Sequence, residues 1–563
     1  MSRQYSLDQN ITPLFDAVRN FSDWDPVPFF IPAHKLGEGI DPRFKSFAGK
    51  NIFRIDLSEV LWTDDFHGAA SSIKEAQELA ADAWGAAQSH FLVNGTSGGI
   101  IAAICSVCGD GDTIIVPRNA HKSAVYGLVL SGATPAYVMP EFDRDLGLIG
   151  GLSPEALEKA FERSPDAKAV FTVSPTYHGI MSDTGALAEI AHRHGAVLIS
   201  DEAHGNHMYF SERLPKGALE LGADIVCQST HKMSGALTQA SILHLGAGAA
   251  RFVDFEKTRA NLSMIQTTSP SYILLASLDM ARSYIATQGA NLLDGVLDAL
   301  EKARYEISAL PGVKLPGENI SDLPSIELLG EEIIGHFVVA DYEPTRLVFS
   351  ARSLGLDGYA LFRLLREEYG VECEFGDATW CVCVAGLGTT PAHTEALTAA
   401  LADISRARND LNDARKTMTG ITPAYSYQTH KDTHSVITER ENHRIKIAHT
   451  SDGLLRSARN SSDYHIAQNE TNPCHYEPIP PIPPLRMTPR EAWFAEKEAV
   501  TFESALGRVS AEPVVPYPPG IPILCPGEVV TSEVHDFLAE QREKGRHLHC
   551  AAGDSLQTLS VVK

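Results

Sequence analysis

The stretch Ser229-Thr-His-Lys232 decides the fold of this chain when it is taken together with Asp201-Glu-Ala-His-Gly205. The lysine follows an apolar, β-branched run at residues 223–228, and the aspartate ends a similar run at residues 196–200. Both residues are therefore predicted to lie at the carboxyl ends of strands in an α/β sheet, where such folds bind their ligands.

An aspartate and a lysine at neighbouring strand ends suit pyridoxal phosphate (PLP). Lys232 would form a Schiff base with the cofactor aldehyde, and Asp201 would keep the pyridine nitrogen protonated. For either residue alone, a solvated loop lysine or a turn aspartate is the better interpretation. Their combination at two strand ends favours the cofactor site.

A second motif, Asn94-Gly-Thr-Ser-Gly-Gly99, precedes an apolar stretch that is typical of a buried helix. Its small residues let an anion approach the backbone, and a helix N-terminus offers free N–H groups and a positive dipole end. Ser229 could donate to the same phosphate. The motif alone would also serve as an ordinary helix cap.

Two further segments follow predicted strands. His121 could stack on the pyridine ring, or it could be an ordinary surface or core histidine. The segment Ser174–Gly179 could line the rim of the cofactor site or form a plain turn.

Composition excludes several functions. A formal net charge of −24 argues against nucleic acid or an anionic membrane as the main partner. We find no secretory signal and no apolar stretch of about 20 residues that could span a bilayer. Nine scattered cysteines indicate a reducing cytoplasm. We expect no metal centre, because the histidine pairs come without further ligands.

The chain divides into five predicted parts: an N-terminal arm (1–40), a large cofactor domain (41–310), a small α+β domain (311–405), a polar flexible linker (406–480) and a C-terminal domain (481–563). Strands and helices alternate in the large domain, which predicts a mostly parallel sheet with helices on both faces. The predicted strands there are 113–116, 135–139, 168–173, 196–200, 224–228 and 240–244. Two helices are predicted at 271–287 and 291–309, and three small-domain strands at 325–329, 336–341 and 380–385.

Several motifs in a fixed order resemble the PLP-dependent ornithine/lysine/arginine decarboxylases of bacterial type. They are Asn94–Gly98, His121–Ser123, Asp201–Gly205, Gln228–Lys232, Thr238–Ser241, Thr267–Tyr272 and Pro516–Gly527. The resemblance covers about residues 10–400 and 485–545. Its most specific part is Pro516-Tyr-Pro-Pro-Gly-Ile-Pro522, which aminotransferases and aromatic amino-acid decarboxylases lack.

The resemblance implies an α/β fold of the PLP type I (aminotransferase-like) class, with smaller α+β domains. It implies that Lys232, His231 and Asp201 are catalytic. The residues expected around the cofactor are Thr96, Ser97, Gly98, His121, Asp201, Ala203, His204, Ser229, Lys232 and, reaching a neighbouring subunit, Thr268.

The resemblance further implies decarboxylation of a basic L-amino acid to its amine and CO₂, with arginine ranked ahead of lysine and ornithine. Glu374 would bind the distal cation, or it is a surface charge. We expect a cytoplasmic homodimer or higher homo-oligomer that feeds polyamine synthesis and is of the short form without a wing domain. The alternatives are an aminotransferase or other type I PLP enzyme, and a non-catalytic PLP-fold regulatory or partner subunit.

Overall fold

The computed structural model describes residues 4–60, 62–310, 326–335, 338–418, 479–517, 520–550 and 555–563. A helix, Pro391–Met418, crosses the boundary predicted at residue 405. The rest of the predicted flexible linker, residues 419–478, lies outside the described residues.

A seven-stranded sheet forms the large domain. Five neighbouring strands run parallel, in the spatial order Ile225–Gln228, Val197–Asp201, Ala169–Val173, Thr113–Pro117 and Thr134–Val138. Ser241–Leu245 pairs antiparallel with the first of these, and Gln88–Leu92 pairs antiparallel with Ser241–Leu245 at the edge. The predicted mostly parallel sheet is confirmed, and all six predicted strands are present with ends shifted by at most one residue. The edge strand Gln88–Leu92 was not predicted.

The central strands are buried on both faces because helices cover both sides of the sheet. Alternate residues of each strand enter two separate cores. Ile114 and Val116 pack with the helices Gly95–Val107 and Lys122–Ser131, whereas Ile115 packs with the opposite layer. That opposite layer consists of the helices Pro154–Arg163 and Thr184–Arg193.

A single helix, Tyr272–Ser308, replaces the two predicted helices at 271–287 and 291–309. The predicted break falls at Gly289, but a glycine inside a helix costs only about 1 kcal/mol. Gly289 is buried, and a Cβ atom there would lie 3.2 Å from Phe210 Cβ. Close packing thus uses this glycine, and the helix continues from the core of the large domain into that of the small domain.

The small domain contains a four-stranded antiparallel sheet in the order Glu327–Leu329, Arg346–Ser350, Cys381–Val384 and Phe375–Gly376. The strands predicted at 325–329 and 380–385 are present. Of the strand predicted at 336–341, the described part holds only Asp341–Tyr342, which pairs with Ile180–Met181 outside this sheet. The central strand Arg346–Ser350 was not predicted. Helices Gly358–Tyr369 and Pro391–Met418 complete the domain.

The C-terminal part has its own apolar core around Phe502, Leu524 and Leu538. It combines two helices, Pro489–Phe494 and Ser532–Glu543, with the strand pairs Lys497–Thr501/Thr558–Val562 and Val515–Tyr517/His547–His549. Other α-helices and short strands in the described ranges are Pro13–Trp24, Pro42–Ala48, Lys50–Arg54, Ser72–Trp84, Thr230–Met233, Phe255–Ile265, Phe142–Asp143 and Leu148–Ile149. Within the described ranges, no helix is both long and apolar enough to cross a membrane.

Candidate active site

One cavity of about 410 Å³ opens at the carboxyl ends of the parallel strands. Lys232 enters it from the short helix Thr230–Met233, which begins directly after the strand Ile225–Gln228. Its Nζ atom lies 2.9 Å from His204 Nε2 and 5.7 Å from the centre of the Tyr177 ring. Burial is the main cause that lowers the pKa of Lys232.

Asp201 ends the neighbouring strand and lines the same cavity. It is 5% exposed, and its Oδ1 accepts a hydrogen bond from the backbone N–H of Ala203 at 3.1 Å. Burial raises the pKa of Asp201 to about 6, although the nearby Lys232 acts in the opposite direction. A cationic ring nitrogen beside it would stabilise the ionised carboxylate.

The segment predicted to bind the phosphate lies at the start of the helix Gly95–Val107. Thr96 and Ser97 line the cavity, and Asn94, at the N-cap position, makes no side-chain cap hydrogen bond. Thr96 Oγ1 lies 2.6 Å from Ser229 Oγ, so hydroxyls from two strand ends meet at this point. Gly98 is buried against Asn94 and does not line the cavity.

His121 lines the cavity and caps the helix Lys122–Ser131, where its Nδ1 accepts from the backbone N–H of Ser123. Burial, together with the charges of Lys232 and Lys122, lowers its pKa to about 4. The imidazole is therefore neutral near pH 7. Its ring can lie against a flat cationic group without charge repulsion.

Ala203 and His204 follow Asp201 and also line the cavity, as does the segment Pro175–His178 that was predicted at its rim. The rings of Tyr177 and His204 are 4.7 Å apart. His231 lines the cavity too, and its Nδ1–H donates to the carbonyl oxygen of Ala240 at 2.9 Å. Burial lowers the pKa of His231.

Besides Gly98, two predicted site residues lie away from the cavity wall. Thr268 and Glu374 are both exposed, and neither lines the cavity. Glu374 is nevertheless close enough for its charge to raise the pKa of Lys232. An acidic residue three positions later, Asp377, does line the cavity.

Sequence reasoning missed the outer wall of the cavity, which comes from the other two domains. The small domain supplies Tyr359 and Asp377, whose Oδ2 lies 2.9 Å from His178 Nε2. Asp377 Oδ1 accepts from the backbone N–H groups of Thr379 and Trp380, both at 2.7 Å. The C-terminal domain supplies Pro516, Gly520, Ile521, Ile523, Phe537 and Gln541.

A buried ion pair fixes this C-terminal wall to the large domain. Arg118 donates to both carboxylate oxygens of Glu528, at 2.7 and 2.8 Å, and to the carbonyl oxygen of Ile523 at 2.7 Å. Arg118 and Glu528 lie close to the motifs at His121–Ser123 and Pro516–Gly527, but no local sequence pattern indicates that they pair.

A second buried ion pair, also missed, lies behind Lys232. Arg346 contacts Glu343 at 3.0 Å, and Glu343 in turn accepts from His207 Nε2 at 3.0 Å. The only available sequence signal was an arginine that begins the apolar run 346–350.

The described residues that line the cavity include no arginine. Within the same residues, no group of three or more His, Cys, Asp or Glu side chains could hold a metal ion.

Comparisons with known proteins identify the family of this chain. Two family models match the chain: "Orn/Lys/Arg decarboxylase, major domain" at residues 12–340 and "Orn/Lys/Arg decarboxylase, C-terminal domain" at residues 475–549. An arginine decarboxylase of Halalkalibacterium halodurans is 38% identical over 99% of this chain and 98% of its own length. An arginine decarboxylase of Bacillus subtilis is 35% identical over 99% of both chains.

Solved structures share the fold. A lysine decarboxylase of Francisella novicida superposes with a TM-score of 0.75 at 20% identity, covering 99% of this chain and 82% of that one. The constitutive lysine decarboxylase of Escherichia coli gives a TM-score of 0.74 at 21% identity with the same coverage. At such identities the likeness concerns the fold.

The family and the enzyme class predicted from the sequence are thereby confirmed, whereas the short form without a wing domain stays a prediction. The chain is an amino-acid decarboxylase and belongs to the Orn/Lys/Arg decarboxylase family.

Proposed function

We propose that this chain is a PLP-dependent arginine decarboxylase, which converts L-arginine to its amine and CO₂. The observation that carries the proposal is the placement of Lys232 and Asp201 at neighbouring strand ends within one cavity. Full-length relatives at 35–38% identity that are named arginine decarboxylases support arginine as the substrate.

The residues present fit PLP. The uncapped helix start at Gly95, with the hydroxyls of Thr96, Ser97 and Ser229, would hold the phosphate. Asp201 would meet the ring nitrogen, whose positive charge would favour the ionised form of this buried carboxylate. His121 and Ala203 would enclose the ring.

Bound PLP supplies an electron sink for the electron pair left behind when CO₂ departs. Asp201 would hold a proton at the ring nitrogen and so keep that sink effective. Lys232 would supply the amine that holds the cofactor through its aldehyde. His231 and Lys232 are the two groups suited to return a proton to Cα, and the C-terminal wall excludes water.

The distal cation of a basic substrate needs a carboxylate. The sequence predicts Glu374 as this partner, and its charge acts on Lys232, although its side chain is exposed. We favour Asp377, which lines the cavity and whose charge is stabilised by three N–H groups.

We further infer a homodimer or higher homo-oligomer, in which the exposed Thr268 would reach the phosphate bound by a partner subunit. The eight cysteines in the described part of the chain form no disulfide bonds, which supports the cytoplasm as its location. The amine product would supply polyamine synthesis, as the family resemblance implies.

The test is kcat/KM for arginine, lysine and ornithine, measured by CO₂ release at matched pH. We expect arginine to be preferred. If lysine or ornithine exceeds arginine by tenfold, about 1.4 kcal/mol in transition-state binding, the arginine assignment is wrong while the decarboxylase assignment stands. Amine transfer to a keto acid without CO₂ release would instead favour the aminotransferase alternative.

A further inference from the structure

The guanidinium of Arg346 reaches the active site through one intermediary, His204. Arg346 is fully buried at the start of the strand Arg346–Ser350. Its Nη2 donates to His204 Nδ1 at 3.0 Å and to the carbonyl oxygen of His204 at 3.1 Å. Its Nη1 donates to Thr345 Oγ1 at 2.9 Å and lies 3.0 Å from Glu343 Oε2.

These contacts determine which nitrogen of His204 carries the proton. Arginine has only donors and stays charged in proteins, so His204 Nδ1 must be the acceptor. A neutral imidazole has one donor and one acceptor nitrogen, which places its proton on Nε2. That nitrogen lies 2.9 Å from Lys232 Nζ.

The amine of Lys232 must then accept a hydrogen bond. A neutral amine has a lone pair for this purpose, whereas an ammonium group has three donors and no acceptor. The contact between His204 and Lys232 is therefore compatible with a neutral lysine and incompatible with a charged one.

We propose that Arg346 is a positioning residue: by donating to His204 Nδ1 it imposes the Nε2–H tautomer, whose proton hydrogen-bonds the Lys232 amine and holds it neutral. The consequence for catalysis rests on the proposed PLP-dependent function, but the charge state of Lys232 does not depend on it.

Other charged and titratable groups around Lys232 shift its pKa in both directions. Asp201 and Glu374 raise the pKa of Lys232, while burial, as the largest cause, and Arg346 lower it. His121 and His204, whose own pKa values are lowered by burial and by Lys232, add no positive charge near pH 7. The pKa of His231 is lowered as well, so that ring is also mainly neutral.

A neutral amine matters because only that form bonds an aldehyde carbon. A lysine with an ordinary pKa of about 10.4 has on the order of one neutral amine per thousand at pH 7. Holding Lys232 neutral thus keeps the nucleophile ready without a separate base.

The test measures the charge of Lys232 in the cofactor-free protein. The rate of acetylation by acetic anhydride is followed against pH, and the peptide that contains Lys232 is quantified by mass spectrometry. Glu343→Gln/Arg346→Met removes the guanidinium without leaving a buried charge unpaired, and Glu343→Gln alone is its control. Both variants are prepared in two backgrounds, one with His204 and one with His204→Gln. The glutamine amide can donate a hydrogen bond to Lys232 without a contact from Arg346.

With His204 present, we expect loss of Arg346 to raise the apparent pKa of Lys232 by about one unit or more, a tenfold loss of reactive amine near neutral pH. In the His204→Gln background the shift should largely disappear. An equal shift in both backgrounds would mean that Arg346 acts only through its charge, and no shift in either would mean that it does not act on Lys232. Both results overturn the proposal.

A measurement on the unmodified chain does not require the Glu343 and Arg346 variants to fold. NMR of the cofactor-free protein with isotope-labelled histidine, assigned by the signal lost in His204→Gln, should show His204 protonated on Nε2 alone. A proton on Nδ1 would contradict the proposal. Neither readout requires decarboxylation, so failure of the proposed function would be seen separately, as absence of CO₂ release.

Discussion

Two arginine–glutamate pairs in this molecule are almost identical in burial and differ in what they control. The Arg346–Glu343 pair is fully buried behind Lys232, and the Arg118–Glu528 pair is equally inaccessible between the large and C-terminal domains. In each, a guanidinium contacts one carboxylate and at least one backbone carbonyl.

The difference is the third partner. Arg118 donates to Glu528, to the Ile523 carbonyl and to the Cys525 sulfur, all in the C-terminal domain, so it fixes a wall of the cavity. Arg346 also donates to His204, which contacts the reactive amine. Burying an ion pair costs desolvation free energy. The role of each pair in this molecule depends on which other group its arginine contacts.

The largest effect on activity is expected at Lys232, which contacts His204, the residue that Arg346 contacts in turn. Lys232→Ala should abolish CO₂ release, because no amine remains to bond the cofactor. The melting temperature should change little, since the side chain is only partly buried. A borohydride-reducible PLP adduct that persists on the variant would show that another lysine is used.

Asp201→Asn should lower kcat by about 10²–10⁴-fold, the range of a lost proton-holding group. PLP should still bind, because the phosphate contacts at Thr96 and Ser229 are untouched. The visible absorbance of bound PLP reports retention of the cofactor. Near-normal turnover would show that the ring nitrogen is not held by this carboxylate.

Arg118→Met should destabilise the protein by about 3–5 kcal/mol, because it leaves the Glu528 carboxylate buried and unpaired. Arg118→Met/Glu528→Gln, which removes both charges, should recover part of that loss in denaturant unfolding. The apparent pKa of Lys232 in the acetylation assay should not change in either variant. A change there would erase the distinction between the two ion pairs.

The smallest effect is expected from the two candidate partners of the substrate cation. Asp377→Asn keeps the turn contacts to Thr379 and Trp380 but removes the charge. It should lower kcat/KM for arginine roughly ten- to a hundredfold, which corresponds to a loss of about 1.5–3 kcal/mol in transition-state binding. Glu374→Gln, the matched variant at an exposed position, should lower kcat/KM by a smaller factor. A larger loss from Glu374→Gln would restore the partner predicted from the sequence.

The sequence predicted the large domain well because its signals are local. Buried central strands give continuous apolar runs, and the six predicted strands, five parallel and one antiparallel, were located within one residue. Lys232, Asp201 and the Asn94–Gly98 motif were placed correctly at strand ends and a helix start for the same reason. The helices predicted at 271–287 and 291–309 are one helix, Tyr272–Ser308, since packing of Gly289 against Phe210 overrides a weak local preference.

The rest depended on contacts that no local pattern contains. Arg346 lies 142 residues from His204 in the chain, and Arg118 lies 410 residues from Glu528. Asp377 and Glu374 are equally acidic and nearly adjacent, and only the hairpin between Phe375–Gly376 and Cys381–Val384 decides which one lines the cavity.

The amino-acid sequence by itself determined the parallel sheet, the family and the positions of the lysine and aspartate, because apolar periodicity and strand-end motifs act over a few residues. Only the tertiary structure decided the tautomer of His204, the anchoring of the C-terminal wall and the acidic group in the cavity. A buried polar side chain is defined by its partners, and in this chain those partners come from distant segments and separate domains.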